Sequence, residues 1–388
     1  MTQSPRTVQL ATVIKLCITI AVTLASVELI SWWWFHHKLP AEIYQSALFT
    51  VEGELSTPFA GQVPKIQPYL WANYMPNPCS PQANQHGWRY GGGPKPEGHF
   101  RVLCLGGSTT WSDKVTAPEF SYPARLENYL QSKGWAVDVV NGGAPFFSSA
   151  ELVGTLAFRG IYTFPDLVII HTGGNDTVPL RSADEYQPDY THWRTVDPSL
   201  ADLSSTDKFR LLWKFPSWTT RLFLTMRMHP NSFFRATIAK QLSSVQEGLL
   251  ADNDISDREP VGLECNLRSM IAISRTHGAQ VACMTFNMRY ENLAGWIPQI
   301  AHDPELLGRA AARLKETIDK SNEAILKVCA DLAVPVIPFD EFEPSHPEYW
   351  ADQCHLTDQG TVEKAASIGD FLIRNSLIPT RFWQDIEQ

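Results

Sequence analysis

Four short motifs, far apart in the chain, carry side chains that together suit acyl transfer. They are Gly106-Gly107-Ser108-Thr109, Asn141-Gly142-Gly143, Gly173-Gly174-Asn175-Asp176 and Asp352-Gln353-Cys354-His355. Acyl transfer requires a nucleophile, donors that hold an oxyanion, and a base that is oriented by an acid. The four motifs together supply all of these groups. Any single motif would be weak evidence for acyl transfer.

Ser108 is the candidate nucleophile. It follows an apolar run and a Gly-Gly pair, and glycines permit positive φ and close approach, so that the hydroxyl stands exposed after a tight turn. Its backbone N–H is then free to hold an oxyanion. The alternative is that Ser108 only caps a helix, which would be the better interpretation if this motif stood alone.

His355 is the candidate base, because a neutral imidazole can take the serine proton near pH 7 and return it to the leaving group. Asp352 stands three residues earlier, so a single turn of chain can bring its carboxylate to the imidazole Nδ1–H. That hydrogen bond fixes the tautomer and favours the imidazolium. The alternative for an isolated Asp-x-x-His is a pair of solvated surface residues.

Asn175 is the candidate side-chain donor to the oxyanion, a contribution worth roughly 10²–10³ in rate. A turn asparagine is the alternative, since Gly and Asn are both turn formers. The neighbouring Asp176 is expected to stabilise the loop rather than to react. His171, in the preceding apolar run, is expected to be a core or supporting residue.

Strands that alternate with helices are expected to position the motifs. Short apolar runs predict strands at 99–105, 136–140, 166–172, 280–286 and 334–339. Helical patterns lie at 122–133, 263–277, 305–330 and about 361–375. This alternation is typical of a parallel sheet with helices on both faces. The motifs follow strand ends or precede the last helix, at the edge where open parallel sheets bind ligands.

The motifs resemble those of the SGNH (GDSL-type) hydrolases over roughly residues 70–375. Ser108, Asn175, Asp352 and His355 match the family's serine, its GxND asparagine and its DxxH pair. The resemblance implies a flavodoxin-like, three-layer α/β/α domain with a parallel sheet. It also implies serine ester chemistry, which requires no cofactor, and we predict no metal site.

The second motif departs from the family pattern. The family's oxyanion glycine commonly stands five residues after the Asn, and that position is Phe146 here. A backbone N–H is retained, so the resemblance assigns the oxyanion hole to Ser108, Phe146 and Asn175. Phenylalanine resists positive φ and adds bulk, which would narrow the acyl pocket or weaken this donor.

Residues 16–35 form an almost wholly apolar run of about the length that spans a bilayer. Basic residues precede it and aromatic residues end it, a pattern typical of a signal anchor with a cytoplasmic N-terminus. We expect one transmembrane helix in the bacterial inner membrane, with the catalytic domain periplasmic. A signal peptide cleaved near Ala25 is the alternative. Glu28 would lie at the outer interface or contact a membrane-protein partner.

Three regions follow from these patterns. They are a cytoplasmic tip and anchor (1–38), an irregular linker and lead-in (39–98), and a catalytic domain (99–380) with an insertion (177–260). The lead-in holds Asn84-Gln85-His86-Gly87-Trp88-Arg89, which is similar to the NxxGxR segment of membrane-anchored bacterial SGNH proteins. Aromatic and basic residues mix at 208–228, which predicts either a lid helix or a segment lying on the membrane.

Composition narrows the function classes. The 388-residue chain has a net charge of −9 without a basic cluster, which argues against nucleic-acid binding. Seven cysteines form no CxxC pair, so a zinc ribbon or thioredoxin-type site is not expected. Cys265 and Cys329, both on predicted helices, could form a disulfide.

The sequence therefore predicts a membrane-anchored serine esterase or O-acyltransferase. The resemblance implies a small acyl ester as substrate, such as an acetyl group on a cell-envelope carbohydrate. The alternative is a catalytically silent scaffold or accessory subunit of a membrane complex, suggested by Phe146 and the insertion. The intact set of Ser108, Asn175, Asp352 and His355 weighs against a scaffold, which has no need of all four.

Overall fold

The computed structural model describes residues 5–37, 84, 86–145, 147–182, 186–190, 248–250, 254–297 and 301–384. Phe146 lies outside these residues, as do most of the predicted linker and most of the 177–260 insertion, including the 208–228 segment. The N-terminal helix and the sheet domain belong to two separate compact units.

The N-terminal unit contributes one described helix, α1 (Pro5–His37). Its apolar side chains are largely exposed, with Leu24 at 65% and Leu29 at 67%. Within the described ranges, no helix combines the length and the apolar character that crossing a membrane requires. The predicted transmembrane span over residues 16–35 is therefore not confirmed.

A five-stranded parallel sheet forms the centre of the second unit, in the order β2-β1-β3-β4-β5. The strands are β1 (Phe100–Gly106), β2 (Val137–Gly143), β3 (Leu167–His171), β4 (Gln280–Met284) and β5 (Val336–Ile337). The predicted parallel α/β fold is confirmed. The strand predicted at 334–339 is shorter than expected, because only two of its residues pair with β4.

Helices connect the strands. They are α2 (Ser108–Trp111), α3 (Tyr122–Ser132), α4 (Ser149–Phe158), α5 (Thr177–Arg181), α6 (Val261–Thr276), α7 (Leu293–Trp296), α8 (Pro304–Asp331) and α9 (Asp358–Arg374). Short 3₁₀ turns lie at Pro118–Phe120, Gly160–Thr163, Tyr290–Asn292, Phe339–Glu341, Pro347–Tyr349 and Thr380–Phe382. The four helices expected from the sequence are present, with ends within about three residues of those predicted, which is the usual uncertainty at helix termini.

Two hydrophobic layers cover the two faces of the sheet. Successive side chains of a strand point to opposite faces, so Leu103 and Leu105 of β1 pack with α4, α6 and α8. Val102 and Cys104 face the other way and pack with α3 and α9. This alternation explains why residues 102–105 of β1 are all apolar, since both faces of the strand are buried there.

Local capping fixes the starts of the helices beside the carboxyl edge. The side chain of Asp303 accepts hydrogen bonds from the N–H groups of Glu305 and Leu306 at the start of α8. Thr357 accepts from Gly360 N–H at the start of α9, two residues after His355. The cap therefore fixes the direction in which the chain leaves the Asp352–His355 loop.

The suggested disulfide between Cys265 and Cys329 is wrong, because both thiols are free. Cys265 is exposed on α6, whereas Cys329 is buried on α8. Cys329 packs in the same core layer as Cys283 of β4. The two helical cysteines therefore face different environments.

Candidate active site

Ser108 begins α2 immediately after β1, at the carboxyl edge of the sheet. The turn has no positive φ at Gly107, where φ is −80°. Glycine is required there for space instead: an added Cβ would lie 2.7 Å from Asn175 Nδ2. At Gly106 it would lie 2.1 Å from Thr110 Oγ1. Close approach, rather than backbone conformation, is thus what the Gly-Gly pair provides.

The structure brings Ser108, His355 and Asp352 together. The Ser108 Oγ and His355 Nε2 are 2.8 Å apart, although 247 positions separate the residues. The His355 Nδ1 lies 2.8 Å from Asp352 Oδ2 and 2.9 Å from Oδ1. A carboxylate only accepts, so Nδ1 carries the proton and Nε2 is left to accept from the serine hydroxyl. This tautomer is the one that a base requires.

The loop that carries the acid and the base is braced from the β4–α8 connection. Asn292 Nδ2 donates to the Asp352 carbonyl at 3.1 Å, and Arg289 N–H donates to the Gln353 carbonyl at 2.7 Å. Asp352 Oδ1 also accepts the backbone N–H groups of Cys354 and His355. These hydrogen bonds within residues 352–355 fix the loop conformation and hold the Asp352 carboxylate against the imidazole of His355.

Electrostatics favour the ionised acid. Burial alone would raise the pKa of Asp352, but hydrogen bonds from His355 and from two backbone N–H groups hold it below the ordinary 3.8. Burial alone would lower the pKa of His355, but Cys354 and Asp352 beside the ring raise it above the ordinary 6.5. The Asp352 carboxylate thus stabilises the imidazolium that forms when a proton arrives.

Asn175 places its amide beside the serine turn. One N–H of Nδ2 donates to the Phe147 carbonyl at 2.8 Å, and the same nitrogen lies 2.7 Å from the position that a Cβ on Gly107 would take. A side-chain amide has two N–H groups, so the second is left for an oxyanion. Phe146, predicted as the third oxyanion donor, lies outside the described residues.

Asp176 holds the loop that carries Asn175, as expected from the sequence. Its carboxylate is completely buried. It accepts hydrogen bonds from Gly173 N–H, Thr172 Oγ1, Ser149 N–H and Oγ, and Tyr190 OH. Gly173 has φ +105°, a conformation that favours glycine. Asp176 therefore fixes the conformation of the loop, and its carboxylate oxygens have no acceptor position left for a reacting group.

His171 lies in the core, as expected, but its partner Lys364 could not be foreseen. Both side chains are buried, and Lys364 Nζ lies 3.4 Å from His171 Nδ1. The Thr109 and Thr110 hydroxyls, next to Ser108, lie at the same distance from that nitrogen. Burial, with the nearby Lys364 charge, holds the pKa of His171 well below 6.5, so the imidazole is neutral.

A set of possible metal ligands was also missed by the sequence analysis. The ligand atoms of Asp352, Cys354 and His355 lie within 4.8 Å of one another. Their signal was the Asp-x-Cys-His spacing itself, in which the cysteine stands between the acid and the base. A carboxylate and a thiol therefore lie beside the imidazole.

The family comparison agrees with this geometry. The GDSL-like Lipase/Acylhydrolase family matches residues 104–361, about two thirds of the chain. The chain belongs to this family. Its matched region includes the motifs of Ser108, Asn175, Asp352 and His355, and membership implies hydrolase chemistry on ester bonds. No curated protein sequence matches this GDSL-family chain.

Several solved structures are similar to this chain at low identity. A lipase/acylhydrolase from Enterococcus faecalis is 16% identical, with a TM-score of 0.40, covering 71% of this chain and 96% of its own. TesA is 14% identical with a TM-score of 0.39, covering 70% and 97%. The acetyl xylan esterase AlAXEase is 14% identical with a TM-score of 0.38, covering 70% and 100%.

Proposed function

We propose that the protein is an SGNH-type serine esterase in which Ser108 attacks the ester, His355 acts as the base and Asp352 orients His355. The observation that carries this proposal is the pair of contacts at one imidazole. Its Nε2 lies 2.8 Å from the serine hydroxyl, and its Nδ1 lies 2.8 Å from the carboxylate. Both distances are within the reach that general-base catalysis requires.

The proposed reaction has two halves. Ser108 Oγ attacks the carbonyl carbon while its proton moves to His355 Nε2, and the Asp352 carboxylate stabilises the imidazolium. The backbone N–H of Ser108 and the Asn175 amide hold the oxyanion, with Phe146 N–H as the third donor. The alcohol leaves with the His355 proton. Water activated by His355 then attacks the acyl-serine and releases the acid.

Ester turnover by a serine variant tests the proposal directly. With p-nitrophenyl acetate as substrate, Ser108→Ala should lower kcat by at least about 10³-fold, because the nucleophile is lost. Ser132→Ala is the matched control, since Ser132 is exposed at the end of α3. A fluorophosphonate probe should label the wild type and not the Ser108 variant. A wild-type protein that neither turns over esters nor reacts with the probe would favour the scaffold function.

We propose a small acyl group, acetyl above all, as the transferred group, and an acylated cell-envelope carbohydrate as the substrate class. The support is the resemblance of the four motifs to the SGNH family, together with a serine that is half-buried beside the Gly107 turn. A series of p-nitrophenyl esters from acetate to octanoate tests this. The value of kcat/KM should fall as the chain lengthens, and a preference for octanoate would contradict the proposal.

Transfer to a sugar hydroxyl instead of water would use the same residues. Hydrolysis and transfer differ only in what reaches the acyl-serine. Purified protein incubated with an acetyl ester, with and without sugar acceptors, separates the two reactions. Acetate release that is unaffected by acceptors supports hydrolysis, whereas acetylated sugar supports transfer.

We further propose that the protein is attached to the bacterial inner membrane, with its catalytic domain in the periplasm. The support is the apolar run at residues 16–35 and the exposure of apolar side chains such as Leu24 and Leu29 on α1. Alkaline extraction of membranes and protease accessibility in spheroplasts test attachment and side. Release of the protein by alkaline extraction would contradict membrane anchoring. A membrane-protein partner near Glu28 stays a prediction.

A further inference from the structure

Cys354 gives the base a neighbour that ester hydrolysis does not use. Its Sγ lies 3.5 Å from His355 Nδ1 and 3.9 Å from Nε2. With Asp352 it completes a group of three ligand atoms within 4.8 Å of one another. The side chains of His355 and Asp352 are 13% and 24% exposed, so an ion from solution can reach them.

The three side chains lie close enough for a tetrahedral zinc ion to bind them once they rotate. With Zn–S near 2.3 Å and Zn–N near 2.0–2.1 Å, sulfur and nitrogen ligands of one ion lie about 3.5 Å apart. The Cys354 Sγ and His355 Nδ1 have this separation, but Sγ is also 3.9 Å from Nε2 and therefore lies over the ring, so the thiol must rotate towards the Nδ1 side to bind the same ion. The Asp352 oxygens, now hydrogen-bonded to Nδ1 at 2.8–2.9 Å, must withdraw by about 0.5 Å to reach the nitrogen–oxygen spacing of such a site.

We propose that Asp352, Cys354 and His355 form a zinc site that inhibits the enzyme. The inhibitory role of this site rests on the proposed esterase function. Zinc binds His355 Nδ1, the Cys354 thiolate and one Asp352 oxygen, with water as the fourth ligand. The thiol proton is released to solvent, and the proton displaced from Nδ1 is matched by one taken up at Nε2. One proton is therefore released for each ion bound.

Inhibition follows from where the imidazole then carries its proton. In the active arrangement Nε2 is the acceptor that faces Ser108 Oγ at 2.8 Å. With zinc on Nδ1, the neutral ring of His355 carries its proton on Nε2 and cannot accept the serine proton. The ion also replaces the Asp352–His355 hydrogen bond that stabilises the imidazolium. Ester attack stops while zinc is bound.

The donor set selects the metal. Thiolate and imidazole ligands favour zinc and cadmium, whereas magnesium and calcium prefer sites made of oxygen ligands. Lys114 Nζ, 4.0 Å from Asp352 Oδ2, is a positive charge that must turn away, and its side chain is 47% exposed and able to do so. We therefore expect inhibition by zinc and not by magnesium.

Zinc titration of esterase activity in the full chain tests the proposal. Zinc should inhibit reversibly, EDTA should restore the rate, and equimolar magnesium should have no effect. Cys354→Ser should raise the half-inhibitory zinc concentration by about tenfold or more, since it removes a strong ligand. Each variant is normalised to its own zinc-free rate. Cys265→Ser, the same change at an exposed cysteine on α6, should leave the half-inhibitory concentration at the wild-type value.

A second readout does not depend on turnover. Cadmium should produce an ultraviolet thiolate-to-metal charge-transfer band in the wild type and in Cys265→Ser, and a weaker band in Cys354→Ser. Equal zinc sensitivity of the wild type and Cys354→Ser, or equal cadmium bands, would overturn the zinc site. Absence of ester turnover with a Cys354-dependent cadmium band would instead contradict the esterase and leave the metal site standing.

Discussion

Replacing Lys364 by methionine would measure what a buried amine costs this core. Lys364 is 2% exposed and lies between two aromatic faces, 4.2 Å from the Tyr122 ring and 4.1 Å from the Phe339 ring. Its Nζ hydrogen-bond partner in the described part of the chain is His171 Nδ1. No carboxylate in these residues forms an ion pair with it, so its charge is poorly compensated.

The magnitude follows from the change in pKa. Burial lowers the pKa of Lys364 from 10.5 to about 7. The unfolded chain therefore binds this proton more readily than the folded one, and stability falls as the pH drops from 10.5 towards 7. With a pKa of 10.5 in the unfolded chain and about 7 in the folded one, the buried amine costs about 4 kcal/mol of stability at pH 7 and about 1 kcal/mol at pH 9.5.

Urea unfolding of the wild type and Lys364→Met at pH 7 and pH 9.5 tests this reasoning. Methionine carries no proton, so the free energy of unfolding of the variant, relative to wild type, should be greater by about 3 kcal/mol at pH 7 than at pH 9.5. Lys133→Met, an exposed lysine at the end of α3, should follow the wild type at both values. If the difference in unfolding free energy between Lys364→Met and wild type were the same at both pH values, the lowered pKa of Lys364 would be refuted.

Three further predictions concern the candidate site. Asn175→Ala should lower kcat for an acetyl ester by about 10²–10³-fold with little change in KM, and an unchanged kcat would exclude its amide from the oxyanion hole. Gly107→Ala should lower both kcat and Tm because its Cβ would meet Asn175 Nδ2 at 2.7 Å, whereas Gly308→Ala, in open space on α8, should retain wild-type kcat. The acid limb of kcat/KM should lie above pH 6.5, because the pKa of His355 is raised and the base must lose its proton; a limb below that pH would contradict the assignment.

Local patterns were enough to predict most of the domain. Strands that are buried on both faces are mostly apolar, so β1 and β3 could be located from the apolar runs at 102–105 and 167–170. The Asp303-Pro304 start of α8 was readable because a cap acts within one turn. Helix α4 was not predicted, although Ser148 and Glu151 form a capping box that was a usable signal.

The candidate site also contains some contacts that local sequence predicts and others that depend on the fold. The contact between Asp352 and His355 spans three residues, so spacing alone made it predictable. The contact between Ser108 and His355 spans 247 positions, and it was inferred from the motifs and not from any local rule. Cys354 was visible in the sequence, but its place against the imidazole depends on how the loop folds.

By itself, the sequence determined the element types, the parallel sheet and the residues able to do ester chemistry, because these depend on periodicity, capping and side-chain type. Only the tertiary structure decided that Gly106 and Gly107 serve close packing and that Lys364 lies buried against His171. Those features arise where distant segments meet. Burial and charge at such contacts depend on three-dimensional neighbours, which no local pattern records.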